Sequence, residues 1–259
     1  MKKSFVFTVD DNIRFFKEIT ERKYKSIFEH PYLAMYKRLH EKFGLKVQLN
    51  LFYSCDGFTL ADMDDSYLDE WKNCSDWLKL SFHSRLENRC PYENSAYDEV
   101  YADCADVNRE ILRFAGASSL AKTTTLHYCR ATKDGISAMR DNGALGLLGL
   151  FGTPDNPRTS YGLNEEKASK IRNGEIAKEN GIAFSGIDIV LNKFTTEKII
   201  NALSDMKARE SVRVMIHEQY FYPDYEYYQI DFEEKISRTF EALFTDGRKS
   251  VFFEELIGL

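Results

Sequence analysis

Two adjacent carboxylates, Asp10 and Asp11, follow the apolar run Phe5-Val6-Phe7 within Thr8-Val9-Asp10-Asp11-Asn12. If residues 5–9 form a buried strand, the pair sits where that strand emerges, with successive side chains pointing to different sides. One carboxylate could then hold a cation while its neighbour accepts a proton. An Asp-rich turn or a helix N-cap would use the same residues. Chemistry therefore requires partners elsewhere in the chain.

Three segments offer them. In Leu80-Ser81-Phe82-His83-Ser84-Arg85-Leu86-Glu87, a strand running into a helical turn at His83 would put His83 and Glu87 on one face, close enough to share an ion. The plainer alternative is a His–Glu surface pair. In Val212-Arg213-Val214-Met215-Ile216-His217-Glu218, alternation sets Val212, Val214 and Ile216 on one side and leaves His217 ending a strand on the other. An imidazole there suits a general acid; a core histidine or a third metal ligand are the alternatives. No second histidine follows Glu218 at zincin spacing. In Thr123-Thr124-Thr125-Leu126-His127-Tyr128-Cys129-Arg130, His127 and Cys129 would share one face and Tyr128 and Arg130 the other. Either His127 completes a metal shell or Arg130 orients a catalytic carboxylate.

A site of one imidazole and two carboxylates, Asp11, His83 and Glu87, with open positions, suits a divalent ion: Zn first, with Mn, Co or Fe as alternatives. Beyond His217, the run from Tyr220 to Tyr228 is dense in aromatic residues. Rings such as Tyr220 and Tyr222 could stack on a sugar or simply anchor a loop.

Elements must bring these residues together. Short apolar or β-branched runs at 5–9, 47–53, 78–82, 123–128, 146–151, 183–191, 212–216 and, more weakly, 250–253 alternate with helical candidates at 12–43 (bent near Pro31), 96–114, 133–142, 164–180, 195–209 and 231–244. Continuous apolar strands joined by helical crossovers imply a buried parallel sheet, either a (β/α) barrel or an open doubly wound sheet. About seven or eight repeats favour the barrel. Ligands meet the carboxyl ends of strands in either case. Those ends carry Asp10-Asp11, His83 with Glu87 beyond, His127 to Arg130, Asp188 or Asn192, and His217. His30 and His40 fall in the first helical region and read as surface residues. The loops at 56–76 and 152–162 are long enough to shape or cover a pocket.

The chain of 259 residues reads as one α/β domain, residues 1–259. A balance of 35 Lys+Arg against 41 Asp+Glu, net −6, with no basic cluster, argues against nucleic acid. The apolar run after Met1-Lys2-Lys3 stops at Asp10, too short for a signal peptide, and nothing later approaches a membrane span, so a cytoplasmic location is expected. Cys55, Cys74, Cys90, Cys104 and Cys129 form no Cys-x-x-Cys pair and read as free thiols. The glycines of 143–152 match neither a P-loop nor Gly-x-Gly-x-x-Gly.

Together these residues resemble the polysaccharide deacetylase superfamily, the carbohydrate esterases built on the chitooligosaccharide deacetylase homology domain. That family opens with Thr-Phe-Asp-Asp-Gly, which Thr8-Val9-Asp10-Asp11-Asn12 is similar to. Its second motif, His-Ser/Thr-x-x-His, is similar to His83-Ser84-Arg85-Leu86-Glu87, with Glu87 in place of the second histidine. Its last motif carries a histidine that His217 matches. The resemblance implies a distorted seven-stranded (β/α)7 barrel, Asp10 as base, Asp11 as metal ligand with His83 and Glu87, and His217 as acid. It further implies metal-dependent removal of an N-acetyl group from a carbohydrate or glycan precursor. The family's Arg-x-Pro-x-Gly motif has no clean counterpart; Arg130 takes the base-orienting role by position. Asp188 holds the place of the fourth motif and joins Tyr220 and Tyr222 on the substrate side.

Overall fold

Every residue of the first strand, β1 (Ser4–Asn12), is buried, as a strand covered on both faces must be. In the computed structural model, which describes residues 3–88, 91–153 and 155–259, β1 lies between two parallel neighbours. These are β2 (Val47–Phe52) and the strand Ser211–His217. The remaining main strands are β3 (Leu78–Ser84), β4 (Thr123–Thr124), β5 (Gly146–Gly149), β6 (Ala177–Glu179), β7 (Ile182–Gly186) and β8 (Ile189–Val190). With Ser211–His217 as β9 and Lys249–Ser250 as β10, one sheet runs β8-β9-β1-β2-β3, with β10 also pairing with β1. A second runs β6-β7-β5-β4. All pairings are parallel except β6 with β7.

Among the described residues the hydrogen-bonded ladder does not close into a barrel, and the two sheets abut. At one edge the chain passes from β7 to β8, Ile187 N–H donating to Gly149 of the second sheet and Asp188 N–H to Arg213 of the first. At the other edge Ala121 N–H donates to the Leu80 carbonyl. The expected strand at 123–128 shrinks to β4, and a short 3-10 turn takes over at His127–Cys129, with Tyr128 (φ 61°) and Cys129 (φ 56°) left-handed.

Helices cover the sheets' outer faces. The bent helix expected over 12–43 is α1 (Arg14–Arg22) and α2 (Pro31–Phe43), with Pro31 opening α2 and Gly44 closing it at φ 69°. His30 is buried, not a surface residue: its Nδ1 accepts from Tyr32 N–H as the α2 cap. The others are α3 (Leu68–Asn73), α4 (Tyr97–Phe114), α5 (Lys133–Asp141), α6 (Glu165–Arg172), α7 (Thr196–Asp205), α8 (Phe232–Thr245) and α9 (Phe253–Leu256). The helix expected to reach 180 stops at Arg172, and the chain reverses through Gly174 (φ 92°) into β6. In α4, Val100, Cys104, Val107, Ile111 and Phe114 are buried at helical spacing. Phe7 of β1 meets Phe240 of α8 edge-on at 4.9 Å. Burial of each such ring stabilises the fold by about 1.5–3 kcal/mol.

Among the described residues no helix is long and apolar enough to cross a membrane. Cys55, Cys74, Cys104 and Cys129 are free thiols; Cys90, with Met1 and Lys2, lies outside the described residues.

Candidate metal centre

The parallel strands β1, β3 and β9 deliver their carboxyl ends to one side of the molecule, and the last residues of each meet there. In β1 the register slips: Val9 pairs with Leu49 and Asn12 with Leu51, so Asp10 and Asp11 together oppose Asn50. Two residues against one is a β-bulge. It is made by a left-handed Asp11 (φ 64°), a conformation costing a non-glycine residue about 1–3 kcal/mol. Asn12 holds it in place. Its Nδ2 donates to the Val9 carbonyl (2.6 Å) and the Asn50 carbonyl (3.1 Å), and its Oδ1 accepts from Tyr32 OH (2.8 Å). The bulge overrides simple strand alternation, so both carboxylates line one cavity of about 370 Å³ with His83, His127 and His217.

Three of these groups converge. His83 Nε2 lies 3.0 Å from Asp11 Oδ1, His127 Nδ1 lies 3.4 Å from the same oxygen, and the two ring nitrogens are 3.2 Å apart. All three residues are buried. The hydrogen bonds at the far side of each ring assign the tautomers. His83 Nδ1 donates to the Thr125 carbonyl, and His127 Nε2 donates to the Glu87 carbonyl (3.0 Å). With both rings neutral the inward nitrogens present lone pairs to the Asp11 oxygen, whereas a protonated His83 donates to it from Nε2. Either a proton or a bound cation offsets the repulsion among the three ligand atoms. Ligand atoms about 2.1 Å from a tetrahedral or octahedral ion stand roughly 3.0–3.4 Å apart, and the three observed separations fall in that span. The residues fit a divalent cation. Backbone carbonyls behind the histidines are the usual support for metal-bound imidazoles, and Gln219 Nε2 steadies the other Asp11 oxygen, Oδ2, at 2.7 Å.

Electrostatics follows the same geometry. Burial would raise the Asp11 pKa, but His217, His127 and His83 outweigh it and hold the carboxyl well below its ordinary range. Burial raises Asp10, opposed by His83 and His217. In His83, burial disfavours the charged form, yet Asp10 and Asp11 reverse the balance and raise its pKa. Asp10 pairs in register with His217 across β1 and β9. Its Oδ1 accepts from Asn50 Nδ2 at 2.6 Å. His217 Nδ1 lies 2.9 Å from Asn192 Oδ1, so this nitrogen donates and Nε2 is left for other work.

The structure thus brings together Asp10, Asp11, His83 and His217, and adds His127. Glu87 stands differently. The chain beyond Ser84 bends and turns without forming a helix, so the i,i+4 face expected for His83 and Glu87 does not exist. The Glu87 side chain is exposed at the cavity rim, outside the converging triad. Arg130 does not reach Asp10; it is exposed and paired with Glu93 at 2.6 Å. Asp188 is buried against Arg209 and accepts from Arg213 N–H (2.8 Å), four residues before His217 on β9 and outside the cavity lining. Tyr222 is 5% exposed, its hydroxyl donating to Glu218 (2.9 Å), whereas Tyr220 lines the cavity. Cys129 also lines it, but burial pushes its thiol up to about 12, which leaves it protonated and unreactive. Glu218, just beyond the end of β9 and outside the cavity lining, accepts from the N–H groups of Ile13 (2.6 Å), Arg14 (3.1 Å) and Phe15 (2.8 Å), capping the start of α1.

No protein-family model matches the chain, and no curated protein matches it in sequence. Solved structures match it in fold. A family 4 acetyl xylan esterase from Clostridium thermocellum, in complex with a cobalt ion, is 14% identical with a TM-score of 0.56, the match covering 98% of this chain and 90% of that one. A peptidoglycan N-acetylglucosamine deacetylase is 10% identical with a TM-score of 0.52, covering 98% and 87%. A 4-alpha-glucanotransferase from Thermococcus litoralis is 15% identical with a TM-score of 0.61; the match covers all of this chain and 41% of that one. At these identities the likeness is one of fold.

Proposed function

We propose that this chain is a divalent-metal-dependent deacetylase that removes an N-acetyl group from a sugar or glycan intermediate. The two abutting sheets are read as the arcs of one distorted seven-stranded barrel. One observation carries the reading: Asp11, His83 and His127 converge as three buried lone pairs at metal-ligand spacing. A glycosyl-transferring fold neighbour makes fold alone an insufficient guide; the donor set favours metal-assisted hydrolysis, and the motif resemblance favours an N-acetyl amide as the bond cleaved. Two imidazoles and a carboxylate suit zinc, with manganese, cobalt and iron as close alternatives.

Asp11, His83 and His127 would hold the ion, which when bound would supply Lewis acidity toward an amide carbonyl and toward water. Asp10, buried beside the triad with Oδ1 occupied by Asn50, would take a proton from the attacking water at its other oxygen. His217, held by Asn192 through Nδ1, would give a proton from Nε2 to the departing amine nitrogen. Water's oxygen forms the new bond to the acetyl carbon as the carbon–nitrogen bond breaks, leaving acetate and a free amine. Tyr220 and Tyr128 stand at the cavity wall, placed to pack against the sugar ring.

Acetate release from N-acetylated oligosaccharides, measured with added zinc or cobalt, tests this. Wild-type protein should release acetate, and Asp11→Ala and His83→Ala should not. Undiminished release by a metal-stripped protein would sink the proposal.

A further inference from the structure

The space between the two sheets contains a polar chain that no catalytic role yet uses. Gln48 and Asn50 alternate on β2 and are both buried. Gln48 bridges the sheets: its Nε2 donates to the Thr123 carbonyl (2.8 Å), and its Oε1 accepts from Thr123 Oγ1 (3.0 Å). Nε2 also donates to Asn50 Oδ1 at 2.8 Å, and Ser81 Oγ donates to the same oxygen at 2.5 Å. With two donors on its oxygen, the Asn50 amide has one orientation. Its Nδ2 must face Asp10, and it does, at 2.6 Å. Burying such polar groups is costly unless all are satisfied, and here the chain of bonds runs from Thr123 to Asp10.

We propose that Asn50 is the positioning residue for Asp10, and that the Gln48–Asn50–Ser81 network fixes that carboxylate's rotation about its side chain. A neutral amide thereby takes the base-orienting place expected for Arg130, which pairs with Glu93 instead. Among the described residues Asp10 Oδ2 takes no protein donor, so the network commits Oδ1 and leaves Oδ2 turned to other partners. This rests on the deacetylase reading only for its kinetic consequence; the orientation itself is a property of the fold.

The test uses Asn50→Leu, which keeps the side chain's bulk and removes its donor, with Ser81→Ala as a milder variant that removes one of the two bonds orienting the amide. In a crystal structure of Asn50→Leu, the Asp10 carboxylate should rotate or shift by about 1 Å, a displacement of the size that costs on the order of 100-fold in rate. With an N-acetylated oligosaccharide as substrate, kcat should fall at least roughly 10-fold while KM and bound metal stay within about two-fold of wild type. Ser81→Ala should show a smaller loss of the same kind, and serves as the reading if Asn50→Leu fails to fold. An Asp10 carboxylate unmoved in the variant overturns the proposal whether or not the wild type turns over. So does a loss confined to KM or to metal content. Absence of acetate release by the wild type would strike the deacetylase reading alone, because the crystallographic comparison still decides the role of Asn50.

Discussion

His83 Nε2 and His127 Nδ1 stand 3.2 Å apart, each with its other ring nitrogen donating to a backbone carbonyl, Thr125 for one and Glu87 for the other. Two neutral imidazoles held this way turn lone pairs toward each other, and only a proton on one of them or a cation between them joins the pair. Together with Asp11 Oδ1 they form a pocket of acceptors, and its natural complement is a cation.

Asp10 is the first point of attack on the mechanism. Asp10→Asn removes the proton acceptor and leaves the triad intact, so metal content should match wild type while kcat falls by about 100- to 10,000-fold. Inductively coupled plasma analysis alongside an acetate assay separates the two quantities. Turnover that survives the substitution would remove Asp10 from the base role.

Asn12 should matter for stability more than for chemistry. Replacing it with Ala deletes the bonds to the Val9 and Asn50 carbonyls and leaves the Tyr32 hydroxyl unpaired in the core. A buried group left without its partner costs about 1–3 kcal/mol, so urea unfolding of Asn12→Ala should show a loss of at least that size. The bulge at Asp11 should relax with it, and metal affinity should drop. Unchanged urea midpoints would mean the clamp contributes nothing.

How far the site could be read from the sequence varies by residue, for physical reasons. Asp10, Asp11, His83 and His217 stand at the ends of long strands with a clear apolar period, so their convergence was legible. His127 follows a two-residue strand and opens a short turn with left-handed Tyr128 and Cys129, conformations that side-chain identity does not announce. Glu87 falls outside the triad because the chain bends after Ser84 where a helical turn is expected. Asn50 did carry a signal: Gln48 and Asn50 are polar at alternate positions of a strand buried on both faces, where polar side chains need partners. The closure of the fold was less legible, since β4 and β8 are too short for a periodic pattern and the sheets meet through single backbone bonds.

Glu218 predicts a pH dependence of stability. Burial pushes its carboxyl from 4.5 up to about 7, against the three backbone N–H groups and the Tyr222 hydroxyl that it accepts from. The folded protein therefore holds this proton more tightly than the unfolded chain does. The associated stability is fully present below about pH 4.5 and is lost as pH rises through about 7, a change of about 3 kcal/mol. The difference in unfolding free energy between wild type and Glu218→Gln should fall from about pH 4.5 to about pH 7 and level off above it. A flat difference curve would show that the carboxylate titrates as it does in the unfolded chain.

On the proposed function a divalent cation would be held by Asp11, His83 and His127, with Glu87 outside the ligand set. Calorimetric titration of zinc into metal-stripped protein tests it most directly, comparing wild type with His127→Ala and Glu87→Gln. Wild type should show one tight site, its affinity nearly unchanged in Glu87→Gln and weakened in His127→Ala by more than the roughly 10- to 100-fold typical of an outer partner. Wild-type affinity in His127→Ala, or its loss in Glu87→Gln, would rule out this ligand set.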